Sequence, residues 1–132
     1  MTSFQIVAFY LALNLILAPI LMYRVGQVRI KEKINLGDGG NDLMFARIRA
    51  HGNFTENAPL ALLGLFGLAM LNAAPIALHI FGAGFFIGRV LHAMGMAKTF
   101  SQGRLVGTLS TILTFFGQAF YLLFLIFTFN AG

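Results

Sequence analysis

The order of apolar and polar positions divides the chain into four long apolar segments joined by short polar connections. The segments cover about residues 4–23, 45–71, 76–96 and 104–129. The first contains no charged residue and is interrupted only by Asn14 and Pro19. A helix needs about 20 residues to cross the hydrocarbon layer of a bilayer, so each segment has the length of a transmembrane helix. The pattern predicts an all-α integral membrane protein, a bundle of four transmembrane helices.

Turn-forming residues mark the connections between the segments. The first connection follows a helical extension through Lys33 and contains the glycine-rich residues 37–40. In the second, Pro75 pushes the preceding residue out of helical geometry. The third covers residues 98–103. Neither an internal repeat nor a change of composition divides the sequence, so residues 1–132 are predicted to form one domain.

Composition supports a membrane location. Of the 132 residues, 58% are hydrophobic and 10% are charged, whereas a soluble domain has about 25% charged residues. A core of this size cannot hide so much apolar surface, so lipid must cover it. The sequence has no cysteine, which excludes disulfides and thiolate metal sites, and we predict no bound metal. The net charge of +5 would suggest nucleic-acid binding in a soluble protein, but these cations adjoin membrane-length segments, so no nucleic acid is expected.

The cationic residues are distributed asymmetrically. All 9 Lys and Arg residues lie in or beside two connections, the one between the first two segments and the one between the last two. The N-terminus, the second connection around Asn72 and the C-terminal tail contain no Lys or Arg. By the positive-inside rule, the two basic loops are predicted to be cytoplasmic and both termini to lie on the other side of the membrane.

Pairs of glycines recur within the segments. They are Gly64 and Gly67, Gly84 and Gly88, and Gly103 and Gly107. Such spacing favours close approach of helices in a membrane. The sequence leaves open whether this approach occurs within one chain or between subunits.

Polar residues recur at helical spacing near the start of the second segment. Arg49, Asn53 and Glu56 are spaced i, i+4, i+7 and share one helix face, while Arg47 and His51 form a neighbouring pair. Glu56 is the only acidic residue within any segment. Burying a lone carboxylate in a membrane costs several kcal/mol, so Glu56 needs a cation or an ammonium group as a partner.

Arginines from the other segments lie at the same level. Arg89 and His92, spaced i, i+3, share a face near the end of the third segment. Arg104 opens the fourth segment, and Arg29 lies about one turn beyond the end of the first. Because Arg49 and Arg89 share their faces with other polar groups, we expect a binding site at this level. Snorkelling to lipid headgroups is the simpler interpretation for four other cations, Arg24, Lys31, Lys33 and Lys98.

The side chains at this level indicate the chemistry of a ligand. Guanidinium groups bind carboxylates through paired hydrogen bonds, and Glu56 suits an ammonium group. A zwitterion with excess negative charge therefore fits the site. The apolar surroundings suit a lipophilic second molecule that arrives from the bilayer.

Together these residues resemble the signature of a known family, the membrane-associated proteins in eicosanoid and glutathione metabolism (MAPEG). The resemblance rests on the run Arg49-Ala50-His51-x-Asn53-x-x-Glu56, followed by Pro59. Supporting matches are Gly26-Gln27-Val28-Arg29, Arg89-Val90-x-His92 and Arg104. These pieces cover most of the chain in the expected order.

The resemblance implies a homotrimer that binds glutathione between adjacent subunits near the cytoplasmic face. Carried over by position, the glutathione-binding residues would be Arg29, Arg49, Asn53, Glu56, Arg89 and His92. Arg104 would be the catalytic residue, because a nearby cation lowers the pKa of a thiol from about 8.5 and so favours the thiolate. The pattern is most similar to small bacterial members, which implies a bacterial inner membrane protein surrounded by lipids.

Two positions depart from the family pattern. Met96 occupies the place of a tyrosine that contributes to the site in the prostaglandin-synthase branch. No tyrosine follows Arg104, as one does in several glutathione-using members, although Thr108 offers a replacement hydroxyl. These missing tyrosines motivate a non-catalytic alternative within the same family.

These features lead to one functional expectation and two alternatives. The expectation is a microsomal-type glutathione transferase or peroxidase, which conjugates glutathione to lipophilic electrophiles or reduces lipid hydroperoxides in detoxification. One alternative is a non-catalytic protein of the same fold that binds lipid or another ligand. The other is a small proton-coupled multidrug exporter that uses Glu56, although the neighbouring arginines would repel a cationic drug.

Overall fold

The computed structural model describes residues 1–129, which fold into four α-helices and their connections. The helices are α1 (Ser3–Glu32), α2 (Asp42–Met70), α3 (Pro75–Met96) and α4 (Gly103–Phe129). The C-terminal tail, which the charge pattern placed on the non-cytoplasmic side, lies outside the described residues. Within them the architecture is all-helical, as the apolar segments predict.

Local sequence fixes where each helix begins and ends. Thr2 and Gln5 form a capping box at the start of α1, with the Thr2 N–H donating to Gln5 Oε1 at 2.8 Å. Asn41 caps α2 by accepting a hydrogen bond from the Met44 N–H at 2.9 Å. Pro75 stands at the first position of α3, where its missing N–H costs nothing.

The first helix continues well beyond its apolar segment. The helix runs through Gly26 without a break, and Lys33 ends it with a left-handed φ of 55°. The basic residues from Arg24 to Lys31 therefore lie on two extra helical turns rather than in a loop.

Three of the four helices in residues 1–129 are long and apolar enough to cross a membrane: α1, α3 and α4. The remaining helix, α2, has 29 residues but carries Arg47, Arg49 and Glu56 in its first half. The helix is long enough to cross a membrane, but its charged residues make it less apolar than the other three helices.

The bundle has two ends that differ in chemistry. The terminal end holds the start of α1 and the α2–α3 turn, because the Phe4 and Phe66 rings lie 5.8 Å apart and the Ala74 N–H donates to the Tyr121 hydroxyl. The basic end carries the α1–α2 and α3–α4 connections. An apolar core of fully buried side chains fills the terminal end, with Ile6, Leu65, Leu68 and Leu78 at its centre.

Close contact between α3 and α4 fixes the geometry of the basic end. A β-carbon on Gly107 would overlap the Gly88 carbonyl oxygen and the His92 backbone. The Ser110 hydroxyl donates to the Gly84 carbonyl at 2.6 Å. These glycines therefore serve packing within one chain, which answers for α3 and α4 the question that their spacing left open.

Candidate functional site

A mixed polar and apolar pocket of about 150 Å³ opens at the basic end, between α2, α3 and α4. Its lining residues are Phe45, Arg49, Asn53, His92, Met96 and Arg104. Four of these are among the residues that the sequence assigned to a site. The structure thus brings together Arg49, Asn53, His92 and Arg104, although they are separated by up to 55 positions in the sequence (104 − 49).

Arg89 lies behind this pocket rather than on its wall. Its side chain is only 2% exposed. One guanidinium nitrogen, Nη1, donates to Asn53 Oδ1 on α2, and the other, Nη2, donates to the Gly107 carbonyl on α4. Arg89 therefore connects three helices directly beneath the pocket.

Arg49 and Glu56 form an ion pair along α2. The Arg49 Nη1 and Glu56 Oε1 atoms are 3.8 Å apart, above Gly52 on one face of the helix. Both side chains remain largely open, with exposed fractions of 45% for Arg49 and 60% for Glu56. Arg49 supplies the cationic partner that a carboxylate at this position requires, and Glu56 stays outside the pocket wall.

Arg29 is the predicted site residue that the structure places elsewhere within the chain. Its Nη1 donates to three carbonyl oxygens of the α1–α2 connection, those of Ile34, Asn35 and Gly37, at 3.2 to 3.4 Å. The side chain therefore folds back over its own connection and does not line the pocket of the same chain.

The two positions that depart from the family pattern can be seen directly. Met96 lines the pocket with an apolar side chain. The Thr108 hydroxyl donates to the Arg104 carbonyl of its own helix at 2.8 Å and is not a lining residue. The residues lining the pocket thus include no hydroxyl. Phe45, which no polar pattern marked, forms part of the wall.

The pocket wall is cationic. It carries the Arg49 and Arg104 guanidinium groups and no carboxylate. Within residues 1–129, no three His, Asp or Glu side chains lie close enough together to hold a metal ion. The arrangement favours an anionic ligand, since guanidinium groups pair with carboxylates at short range.

Two apolar grooves lie on the outer surface of the bundle. One, of about 600 Å³, runs between α1 and α2 and includes Asn14 and Phe54. The other, of about 410 Å³, runs between α2 and α4 beside Gly64 and Gln118. Both are lined almost entirely by hydrocarbon side chains, so they suit acyl chains, other lipophilic molecules or the side chains of another subunit.

The comparisons with known proteins agree with this architecture. Apolar helices of membrane length, together with an inner membrane relative, define an integral membrane protein. The family model described as the MAPEG family matches residues 7–124, and the chain belongs to that family. The resemblance inferred from the sequence is thereby confirmed.

Individual relatives are more distant. The inner membrane protein YecN of Escherichia coli strain K12 is 29% identical over 104 residues, which cover 79% of each chain. The protein of the same name from Escherichia coli O6:H1 matches equally well. No solved structure gives a significant match. The family includes glutathione-using enzymes, which bears on what the pocket binds.

Proposed function

We propose that the protein is a glutathione-binding membrane enzyme that conjugates glutathione to lipophilic electrophiles or reduces lipid hydroperoxides. The observation that carries this proposal is the pocket in which Arg49, Asn53, His92 and Arg104 meet. Membership of a family that includes glutathione-using enzymes supports it. Glutathione has two carboxylates and one ammonium group, which match the two arginines and Glu56 in charge.

The size of the pocket favours a site completed by another subunit. Pockets for drug-sized ligands are about 300–1,000 Å³, whereas this one measures about 150 Å³ within a single chain. One chain therefore encloses only part of a tripeptide. A neighbouring subunit would supply the rest of the wall, and Arg29 is its best candidate contribution because the family pattern places it in the site.

The exposed polar face of α2 supports the same assembly. Charged side chains inside a membrane face a bundle interior or another protein rather than lipid. Arg49 and Glu56 lie in the first half of α2 and are largely exposed in the isolated chain. We propose that further copies cover this face and that α2 is the fourth span. The resemblance to MAPEG proteins supplies the number of copies, a homotrimer.

The proposed orientation follows from the basic connections. All 9 Lys and Arg residues belong to the basic end of the bundle or its adjoining helical turns. The positive-inside rule places that end in the cytoplasm and the N-terminus in the periplasm of a bacterial inner membrane. Glutathione would then enter from the cytoplasm, and the lipophilic substrate would enter from the bilayer.

Arg104 is the proposed catalytic residue because its cationic side chain lines the pocket. A guanidinium beside the glutathione sulfur favours loss of the thiol proton to water and stabilises the thiolate. In conjugation, the thiolate attacks an electrophilic carbon, a C–S bond forms and the leaving group departs. In peroxide reduction, the thiolate attacks the terminal oxygen of the hydroperoxide and the O–O bond breaks, which gives the sulfenic acid of glutathione and an alkoxide that takes a proton from water to become an alcohol. A second glutathione then converts the sulfenic acid to glutathione disulfide and water.

The alternative of a non-catalytic binding protein rests on one specific observation. The pocket lining has no hydroxyl, because Met96 is apolar and Thr108 hydrogen-bonds to its own helix. The exporter alternative is less favoured, since Glu56 is paired with Arg49 and two guanidinium groups would repel a cationic drug.

Turnover assays separate these functions. Purified, folded protein is incubated with glutathione and either a model aryl halide or a lipid hydroperoxide, and product is measured by chromatography. The proposal predicts glutathione-dependent product that is lost in the Arg104→Ala variant. Glutathione binding without turnover of either substrate would favour the non-catalytic alternative.

A further inference from the structure

We infer that Arg89 is a positioning residue that fixes the orientation of the Asn53 amide, so that Asn53 presents a hydrogen-bond donor to an anionic ligand. This inference rests on the proposed function for the identity of the ligand. It assigns Arg89 a role through Asn53 rather than a direct contact with glutathione, which the family pattern had implied.

The orientation of the amide follows from the chemistry of arginine. A guanidinium group has only donors and no acceptor. The atom of Asn53 that faces Arg89 must therefore be the carbonyl oxygen Oδ1, as observed. Exchanging the oxygen and nitrogen of this amide would set two donors against each other in a buried position.

A second donor lies near the same oxygen. Asn57, one turn along α2, donates from Nδ2 to the Asn53 backbone carbonyl at 2.7 Å and approaches Asn53 Oδ1 at 3.4 Å. Arg89 itself is fixed from the other side by its hydrogen bond to the Gly107 carbonyl. The oxygen of the Asn53 amide is therefore held mainly by Arg89 on α3, with a longer contact from Asn57 on α2.

The nitrogen side of the amide remains available. Asn53 lines the pocket, and its Nδ2 makes no hydrogen bond to any atom of residues 1–129. Beside it lie the Arg49 and Arg104 guanidinium groups. The polar groups that line the pocket from α2 and α4 are thus all donors, which suits the carboxylate oxygens of a ligand, while the Glu56 carboxylate lies outside this wall.

Arg89 would control this selection without touching the ligand. If its guanidinium is removed, Asn53 Oδ1 keeps only the 3.4 Å contact from Asn57, and the amide can rotate to offer its oxygen to the pocket. An oxygen facing a carboxylate repels it and also leaves a ligand acceptor unpaired. Glutathione binding should then weaken although Arg49 and Arg104 are both present.

The test compares glutathione affinity by isothermal titration calorimetry, together with the melting temperature, in detergent-purified protein. Asn53→Asp replaces the donor with an acceptor but retains a partner for Arg89, so it should fold and bind glutathione about 10-fold or more weakly. Arg89→Met should weaken binding to a similar extent and raise KM more than it lowers kcat. Arg89→Lys, which keeps one charged donor, should restore part of the affinity.

Gln118→Leu is the matched control. Gln118 is buried and its Nε2 donates to the Ala61 carbonyl at 3.0 Å, so this variant also removes a buried hydrogen bond between helices. It should lower the melting temperature and leave glutathione affinity unchanged. A purely structural role for Arg89 would give the same result in Arg89→Met and would overturn the inference, as would wild-type affinity in Asn53→Asp.

A second measurement distinguishes a failure of the proposed function from a failure of the inference on Arg89. If the wild-type protein does not bind glutathione, the same variants are compared by the melting temperature at low millimolar sulfate. The inference predicts a larger rise for wild type than for Asn53→Asp, because the general effect of sulfate on burial is common to both. An equal rise, or none in either protein, would overturn it.

Discussion

The terminal and basic ends of the bundle solve the problem of helix packing in different ways. At the terminal end, side chains such as Leu68 and Leu78 are fully buried in an apolar core. At the basic end, Arg89 is almost as buried, beside a second apolar cluster that includes Phe54 and Phe85, and it connects helices through hydrogen bonds. The first arrangement stabilises the fold through close packing, whereas the second holds polar groups in place around a pocket.

The energies of the two arrangements differ accordingly. Truncating a large buried side chain to alanine costs about 2–5 kcal/mol. A hydrogen bond between membrane helices contributes only about 0.6 kcal/mol on average. We therefore expect stability to depend mainly on the apolar clusters, and ligand binding on the polar contacts of the basic end.

The largest effect on stability should come from Leu78→Ala. This substitution removes a fully buried side chain from the terminal core and should lower the free energy of unfolding by about 2–5 kcal/mol. Unfolding in a titration with sodium dodecyl sulfate measures the change. Leu113→Ala is the control because Leu113 is exposed. If Leu78→Ala also abolished glutathione binding in the folded state, the two ends would not be separable.

The largest effect on activity should come from Arg104→Ala at the basic end. It should lower kcat/KM for conjugation by about 10²–10³-fold, the range for loss of one electrostatic group in a transition state. Stability should change little, because Arg104 is exposed. Lys31→Gln, which also removes one exposed cation, serves as the control in the same assay. Equal losses of activity in both variants would indicate a general charge effect instead.

An intermediate effect is expected where α3 and α4 touch. A methyl group at Gly107 would meet the backbone of Gly88 and His92, so Gly107→Ala should cost about 1–3 kcal/mol and displace the pocket wall. Both the unfolding free energy and the glutathione affinity should fall. Gly26→Ala is the matched control, since no atom lies within 4 Å of its added β-carbon. A neutral Gly107→Ala would contradict the tight α3–α4 contact.

The smallest effect should come from Tyr10→Phe. The Tyr10 hydroxyl lies 3.0 Å from His79 Nδ1 and is the main polar link at the terminal end. Its loss should cost about 0.6 kcal/mol, typical of such bonds in membranes. Tyr23→Phe, at an exposed position, measures the baseline. A cost comparable to that of Leu78→Ala would show that the terminal end also depends on polar contacts.

The sequence predicts the helices and the centre of the candidate site well, for a common reason. Long apolar segments specify membrane-length helices, and helical spacing brings Arg49 and Asn53 to one face. The same spacing places His92 near the end of α3, where it meets Arg104. These relations depend on backbone periodicity, which the order of residues encodes directly.

The remaining features depend on where long side chains turn. Arg29 donates to backbone carbonyls of the α1–α2 connection, and Arg89 donates to a backbone carbonyl of α4. Every residue has a backbone carbonyl, so the sequence does not indicate these partners. Phe45 resembles any lipid-facing residue until the fold places it on the pocket wall. The sequence did predict the helical extension to Lys33, but no glycine indicates the left-handed conformation of that residue.

The central claim is that the basic-end pocket binds glutathione and favours its thiolate, and the ultraviolet absorbance of the thiolate tests it most directly. Glutathione is titrated into purified wild-type protein and into the Arg104→Ala, Arg49→Ala and Lys31→Gln variants. We expect a thiolate band on binding to wild type and to Lys31→Gln that is lost in Arg104→Ala and reduced, through weaker binding, in Arg49→Ala. Binding without a thiolate band, or a band that persists in Arg104→Ala, would contradict it.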